Sequence, residues 1–273
     1  MKSIDLNGNW RIRRFEYTDE IKDNFETDLT SAEWIDATVP GDIHKDLLAA
    51  GLIEDPYYGD NFQKCQWVTE NDWCYAKEFY IPEGFLKQNT FLRFNGVDTY
   101  AEIYLNGERI GSVENMFRRY EIDISRSAKV GNNLLLVYVR SVKNKSQQFP
   151  SKGYFGCFNI NRIFIRKTQC HFSWDWAPDF PATGIWEDVE LNTYDGTFID
   201  SMAIRTAING EVAFFFNLHK NTFLKDEHRT RTILLKVKID NEWVSHRLDI
   251  KGIKNFLSIK IDDPELWWPA ELG

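Results

Sequence analysis

Glu102-Ile103-Tyr104-Leu105-Asn106-Gly107-Glu108-Arg109-Ile110-Gly111-Ser112-Val113 is the stretch that decides the fold. Two strand-like runs flank an Asn-Gly pair, and both central positions of a type I′ turn need φ > 0, which Asn tolerates and Gly adopts freely. The stretch predicts an antiparallel hairpin. Working outward, period-two alternation with turn punctuation recurs at Tyr75 to Ile81, Thr90 to Phe94, Ala101 to Leu105, Tyr120 to Ile124, Leu134 to Arg140, Arg162 to Lys167 and Trp186 to Leu191. One helix interrupts this pattern: Asp42 is placed to cap Ile43 to Ala50, with Ile43, Leu47, Leu48 and Ala50 on one side and Gly51 at the stop. After Leu191 a turn-rich Thr193-Tyr194-Asp195-Gly196 precedes shorter, cleaner strands at Phe198 to Ile204, Glu211 to Leu218, Thr232 to Ile239, Trp243 to Ile250 and Asn255 to Ile261.

These patterns predict an all-β protein of two domains, 1–192 and 193–273. The second has only about 80 residues, short of the ~100 of an immunoglobulin-like sandwich, and is expected to lack its last strand. The chain has 273 residues, 43% of them hydrophobic and 15% aromatic, with ten Trp, eleven Tyr and twenty Phe, a profile suited to strands and to ligand-facing platforms. Its net charge of −8 argues against nucleic acid or an anionic membrane surface as the main partner. The N-terminus is polar from the start and no run approaches the ~20 apolar residues of a membrane span, so a soluble protein is expected, cytoplasmic if Met1 is the native start. Cys65, Cys74, Cys157 and Cys170 lack any paired spacing and read as reduced thiols; neither a metal nor a cofactor is expected.

The candidate site is Trp174-Asp175-Trp176, one carboxylate between two indoles. A pyranose offers an apolar C–H face that packs on an aromatic plane and vicinal hydroxyls that donate to a carboxylate. By residue type alone the indoles read first as packing residues, since large aromatics dominate cores and interfaces, and the aspartate is suited to capping a turn.

Several segments together resemble the β-mannosidases of glycoside hydrolase family 2. They are Trp34 to Leu52, Glu54 to Asn61, Gln66-Trp67-Val68, Phe94 to Gly107, Asn115-Met116-Phe117-Arg118, Ile165 to Gln169 leading into Trp174-Asp175-Trp176, and Gly184-Ile185-Trp186. Pro264 to Pro269 resembles the end of that family's second domain. The resemblance implies a jelly-roll, galactose-binding-like β-sandwich followed by an incomplete immunoglobulin-like β-sandwich. It also implies that Trp174, Asp175 and Trp176 contact a terminal mannose, with Asn61 on a second loop near the same pocket. The implied partners are a β-mannoside oligosaccharide or glycan and a C-terminal catalytic barrel of the same chain, without nucleic acid or membrane. The family hydrolyses its substrate with retention, using two glutamates on a (β/α)8 barrel. No β/α alternation appears in residues 1–273 and none of the 41 acidic residues matches either catalytic motif, so this chain alone is expected to be inactive.

The sequence departs from the family pattern around the triplet. Ser173 and Ala177 stand where the family usually has glycines, and Asp179 where a basic residue is common. If either glycine position needs φ > 0, the loop here must be rearranged or strained. His44 reads as a hydrogen-bonded structural residue at the helix start, and His171 either supports the triplet from behind or faces solvent. Trp267-Trp268-Pro269 reads as a surface for interdomain packing. Two alternatives accompany the β-mannosidase reading: a stand-alone carbohydrate-binding module, and a family 2 hydrolase with another sugar preference.

Overall fold

The Asn106-Gly107 turn forms as its residues dictate: φ is 54° at Asn106 and 85° at Gly107. It joins β6 (Ala101–Leu105) to β7 (Glu108–Val113), paired antiparallel. The structure, a computed structural model, describes residues 1–17, 29–219, 231–239 and 241–271. It divides into two units, Met1–Thr193 and Tyr194–Gly273.

The first unit is a two-sheet jelly roll. One sheet has the order β3 (Ile35–Val39), β2 (Gly8–Phe15), β4 (Asp72–Ile81), β9 (Gly131–Val139), β6, β7. The other runs β1 (Lys2–Asp5), β12 (Val189–Tyr194), β5 (Asn89–Phe94), β8 (Tyr120–Asp123). Alternation along each strand builds the core between them. On β9, Leu135, Val137 and Val139 point inward to meet Leu92 and Phe94 of β5 and Val189 and Leu191 of β12. The opposite face of the larger sheet is covered too, where Leu136 and Tyr138 join Trp34, Cys74, Ala76 and Tyr104.

The helix α1 (Ile43–Ala49) closes one end of the sandwich, its Ile43 and Leu47 in the core. Asp42 accepts from the Lys45 N–H at 3.2 Å, and Gly51 at φ 69° ends it. There Leu52 N donates to Leu47 O and Gly51 N to Leu48 O, the paired bonds of a Schellman stop. The buried side differs from the expected one: His44 and Asp46 are inside, while Leu48 and Ala50 are exposed.

Two expected strands are corrected. Arg162 to Lys167 alternates in sequence, yet residues Ile160–Phe164 form a 3-10 turn. The Gln169 side-chain amide donates to the carbonyls of Arg162, Ile165 and Lys167, and one amide reaches three carbonyls only where the chain folds back. The strand placed at Trp186 to Leu191 begins later, at Val189; just before it Asn95 N donates to Asp188 O at 3.0 Å and the Trp186 indole lies over Gly96. The short helices α2 (Asn61–Lys64), α3 (Gln66–Glu70) and α4 (Val142–Ser146) and the hairpin β10 (Phe172–Trp174)–β11 (Ala177–Asp179) complete the unit.

In the second unit, β13 (Ile199–Thr206), β14 (Glu211–Leu218) and β17 (Lys254–Lys260) form one sheet, and β15 (Thr232–Ile239) and β16 (Glu242–Asp249) the other. Phe214, Phe216 and Leu218 pack with Ile233 and Ile259 between them, as in an immunoglobulin-like sandwich. Trp267 and Trp268 are exposed. No helix among the described residues is long and apolar enough to cross a membrane.

Candidate functional site

Strands β10 and β11 pair in the register Phe172↔Asp179 and Trp174↔Ala177, which leaves Asp175-Trp176 as a two-residue turn. Asp175 sits at φ 48°, the left-handed region that aspartate tolerates. Ser173 adopts φ 70°, so the first family glycine position does need φ > 0, whereas Ala177 does not. A serine held there costs roughly 1–3 kcal/mol. Its hydroxyl compensates in part by donating to Ala177 O at 3.1 Å across the hairpin.

The tip of the hairpin presents its groups outward. Asp175 is exposed, and among the described residues nothing donates to its carboxylate, so it does not cap its own turn. The two indoles differ. Trp174 is braced by Phe158 at 5.5 Å and by the Arg162 guanidinium 4.9 Å from its ring centroid, and remains 46% exposed; Trp176 is 87% exposed. Neither Phe158 nor Arg162 was singled out from sequence. The dense aromatics of residues 149–164 were the available signal.

The base of the hairpin is fixed by a buried charge. Lys167, which enters the hairpin, donates to the Asp98 carboxylate and to the carbonyl of Ala182, which leaves it. Asp98 N donates to Gly184 O at 2.8 Å, Gly184 N to Asp98 O at 3.0 Å, and Thr183 Oγ1 also to Asp98 O. Both arms of the hairpin are thereby held by one residue. Burial pulls the Lys167 ammonium below the usual lysine range, against the attraction of Asp98. Farther along, Phe172 packs with Val142 and Ile165, and Gln66 Nε2 donates to Asp179 O at 2.8 Å.

Below the hairpin lies a cleft of about 270 Å³, where Ala177 and Pro178 face Pro56, Tyr57, His44 and His171. Asn61 is not among its lining residues: it opens α2, and its amide donates to Asp55 O at 3.1 Å. The structure thus brings the loop of Pro56 and Tyr57 to the hairpin, but not the Asn61 side chain. His44 packs on Phe180 at 4.3 Å and is buried, and neither ring nitrogen has a hydrogen-bond partner among the described residues. The expected hydrogen-bonded histidine is therefore a packed one. Burial, reinforced by Lys167, lowers its pKa to about 4. His171 is half-buried and lowered for the same two reasons, with Asp98 opposing. Among the described residues no three His, Cys, Asp or Glu side chains gather as a metal site.

A two-sheet jelly roll with an aromatic, carboxylate-tipped hairpin among its loops has the architecture of the galactose-binding-like domains. Residues 15–187 match the family model described as glycosyl hydrolase 2 galactose-binding domain-like, and the chain belongs to that family. It is 31% identical to the mouse (Mus musculus) β-mannosidase over 292 aligned positions, covering 99% of this chain and 31% of that protein. The rat (Rattus norvegicus) β-mannosidase is 36% identical over 213 positions, 73% of this chain and 22% of its own length. Among solved structures, the Dictyoglomus thermophilum β-D-mannosidase superposes with a TM-score of 0.82 at 28% identity, covering 99% of this chain and 32% of that one. The chain spans about a third or less of the length of these relatives.

Proposed function

We propose that this chain is the substrate-recognition segment of a retaining β-mannosidase that removes terminal β-D-mannose residues from oligosaccharides or glycans. The observation that carries the reading is the Asp175 carboxylate, exposed and without a hydrogen-bond donor among the described residues, on a two-residue turn beside two exposed indoles. The likeness to β-mannosidases over 99% of the chain supports it. In this reading Asp175 accepts from two vicinal hydroxyls of the mannose, and Trp176 covers its C–H face. Trp174, braced by Phe158 and Arg162, keeps the hairpin upright. The positive φ at Ser173 aims the tip, and the Lys167–Asp98 pair holds the base still. Acid/base and nucleophilic chemistry belongs to the part of such enzymes that this chain does not span, so residues 1–273 alone are expected not to hydrolyse a β-mannoside.

The test is Asp175→Ala in the enzyme that carries this chain, assayed on an aryl β-mannoside. Losing hydrogen bonds to a charged acceptor, worth roughly 1.5–3 kcal/mol, predicts a fall in kcat/KM of roughly 10- to 150-fold. Unchanged kinetics would refute the assignment. Calorimetry on the 273-residue chain separates the stand-alone binding module: the recognition segment, holding one wall of a pocket, binds mannose only weakly. Tight binding would favour the module.

A further inference from the structure

A second cleft, of about 530 Å³, opens on the larger sheet of the first unit, and none of its lining residues belongs to the Trp174–Trp176 hairpin. Its volume falls within the ~300–1,000 Å³ of ligand sites. Four cations line it, Arg118, Arg140, Lys145 and Arg166, together with two carboxylates, Glu102 and Glu114. Arg140 is engaged by buried Asp72 at 3.1 Å, and Glu102 is paired with Arg109. That leaves Arg118, Lys145 and Arg166 facing Glu114 alone. Among the described residues these three cations have no ion-pair partner, in a chain whose net charge is −8.

Their convergence is built into the backbone. Asn115 and Arg166 form a parallel bridge, and Met116 N donates to Arg166 O at 3.0 Å, so the turn carrying Arg118 is fastened to the segment carrying Arg166. Lys145 rides on α4, whose cap is the Ser141 hydroxyl accepting from Asn144 N at 3.1 Å and whose Asn144 amide donates to Glu70 O at 2.7 Å. Phe149, just after α4, stacks on Phe164 with centroids 5.6 Å apart, and both line the cleft beside Tyr100. The Arg118 guanidinium lies 5.7 Å from the Tyr120 ring centroid. Cations carried on fastened segments around an aromatic lining meet two demands at once, a charge to neutralise and an apolar ring face to cover.

We propose that this cleft binds an anionic saccharide, a sugar whose carboxylate or sulfate meets Arg118, Arg166 and Lys145 while its ring packs on Tyr100, Phe149 or Phe164. The site stands independently of the mannose reading of the hairpin. Calorimetry on the 273-residue chain at low ionic strength tests it with three probes of equal length: a uronic-acid oligosaccharide, a sulfated neutral oligosaccharide and the unsulfated neutral one. Either acidic probe is expected to bind at least about tenfold more tightly than the neutral one, a ratio equivalent to about 1.4 kcal/mol, and to weaken with added salt. Whichever acidic probe binds more tightly identifies the anion. The double variant Arg118→Gln/Arg166→Gln, both at exposed positions, is expected to abolish the preference with an unchanged melting temperature. Glu114→Gln is expected to strengthen it. Equal affinity for all three probes, no binding of any, a preference that survives in the double variant, or binding of inorganic sulfate as tight as that of the sulfated sugar would each overturn the proposal.

Discussion

Replacing Lys167 by Met keeps nearly the volume of the side chain, one atom shorter, and removes the charged donor at its end. Lys167 is 1% exposed, and its ammonium serves both the Asp98 carboxylate and the Ala182 carbonyl. Because Met restores the stem's packing, no cavity term enters. What remains is a buried carboxylate without its counter-ion, a loss of about 3–5 kcal/mol, and a carbonyl without its donor, which overlaps with it. A net destabilisation of about 4 kcal/mol is expected, a large part of the ~5–15 kcal/mol that holds a typical domain. Urea denaturation at pH 7 followed by tryptophan fluorescence reads this out for the first unit, and amide exchange at Phe172 to Asp179 is expected to accelerate because the hairpin loses its fastening. Adding Asp98→Asn to Lys167→Met should recover more than half of the loss, since the stranded charge is then gone. A shift under about 1 kcal/mol for Lys167→Met, or no recovery in the double variant, would refute the reasoning.

Two further outcomes follow from the same region. His44 has a folded pKa of about 4 against 6.5 in the unfolded chain, so its contribution is complete above pH 6.5 and is lost as pH falls toward 4. At pH 4.5 the wild type should therefore have lost roughly 2–3 kcal/mol more than His44→Leu, relative to pH 7, in parallel denaturation curves; equal losses would mean the imidazole is not held neutral. At Gly184 an added Cβ would sit 2.7 Å from Tyr75 Oη and 2.9 Å from both Asp42 Cα and Gly41 O. Gly184→Ala is expected to cost about 1–3 kcal/mol by overpacking, measured as a lowered melting temperature; an unshifted melt would show that these neighbours yield freely.

The hairpin at Asn106-Gly107 was legible because its turn chemistry is local, and α1 because its cap and its stop are both encoded within a few residues. The triplet Trp174-Asp175-Trp176 was legible as a group, but its environment was not. Whether Ser173 takes φ 70° depends on the pairing of β10 with β11, which no local propensity reports. Arg162 to Lys167 misled for a related reason: alternation is a strand signal only when a neighbouring strand accepts the ladder, and here one glutamine side chain takes the carbonyls instead. Lys167 gave no warning of burial, since lysine in sequence reads as surface. The anion cleft was hidden twice over. Its cations come from separated segments, and a net charge of −8 averages away a local excess of positive charge.

The Asn106-Gly107 turn carries a consequence for the chemical ageing of the protein. Asn-Gly is the dipeptide most prone to deamidation, because the glycine nitrogen closes readily on the asparagine side chain. Here that side chain is occupied: its amide donates to Ser127 O and Asn133 Oδ1, each at 2.9 Å, and its carbonyl accepts from Leu134 N at 3.1 Å. Ring closure requires these bonds to break, which ties the reaction to opening of the sheet. Isoaspartate at position 106, read by mass spectrometry of a stored or heated sample, thus records the time its molecules have spent open.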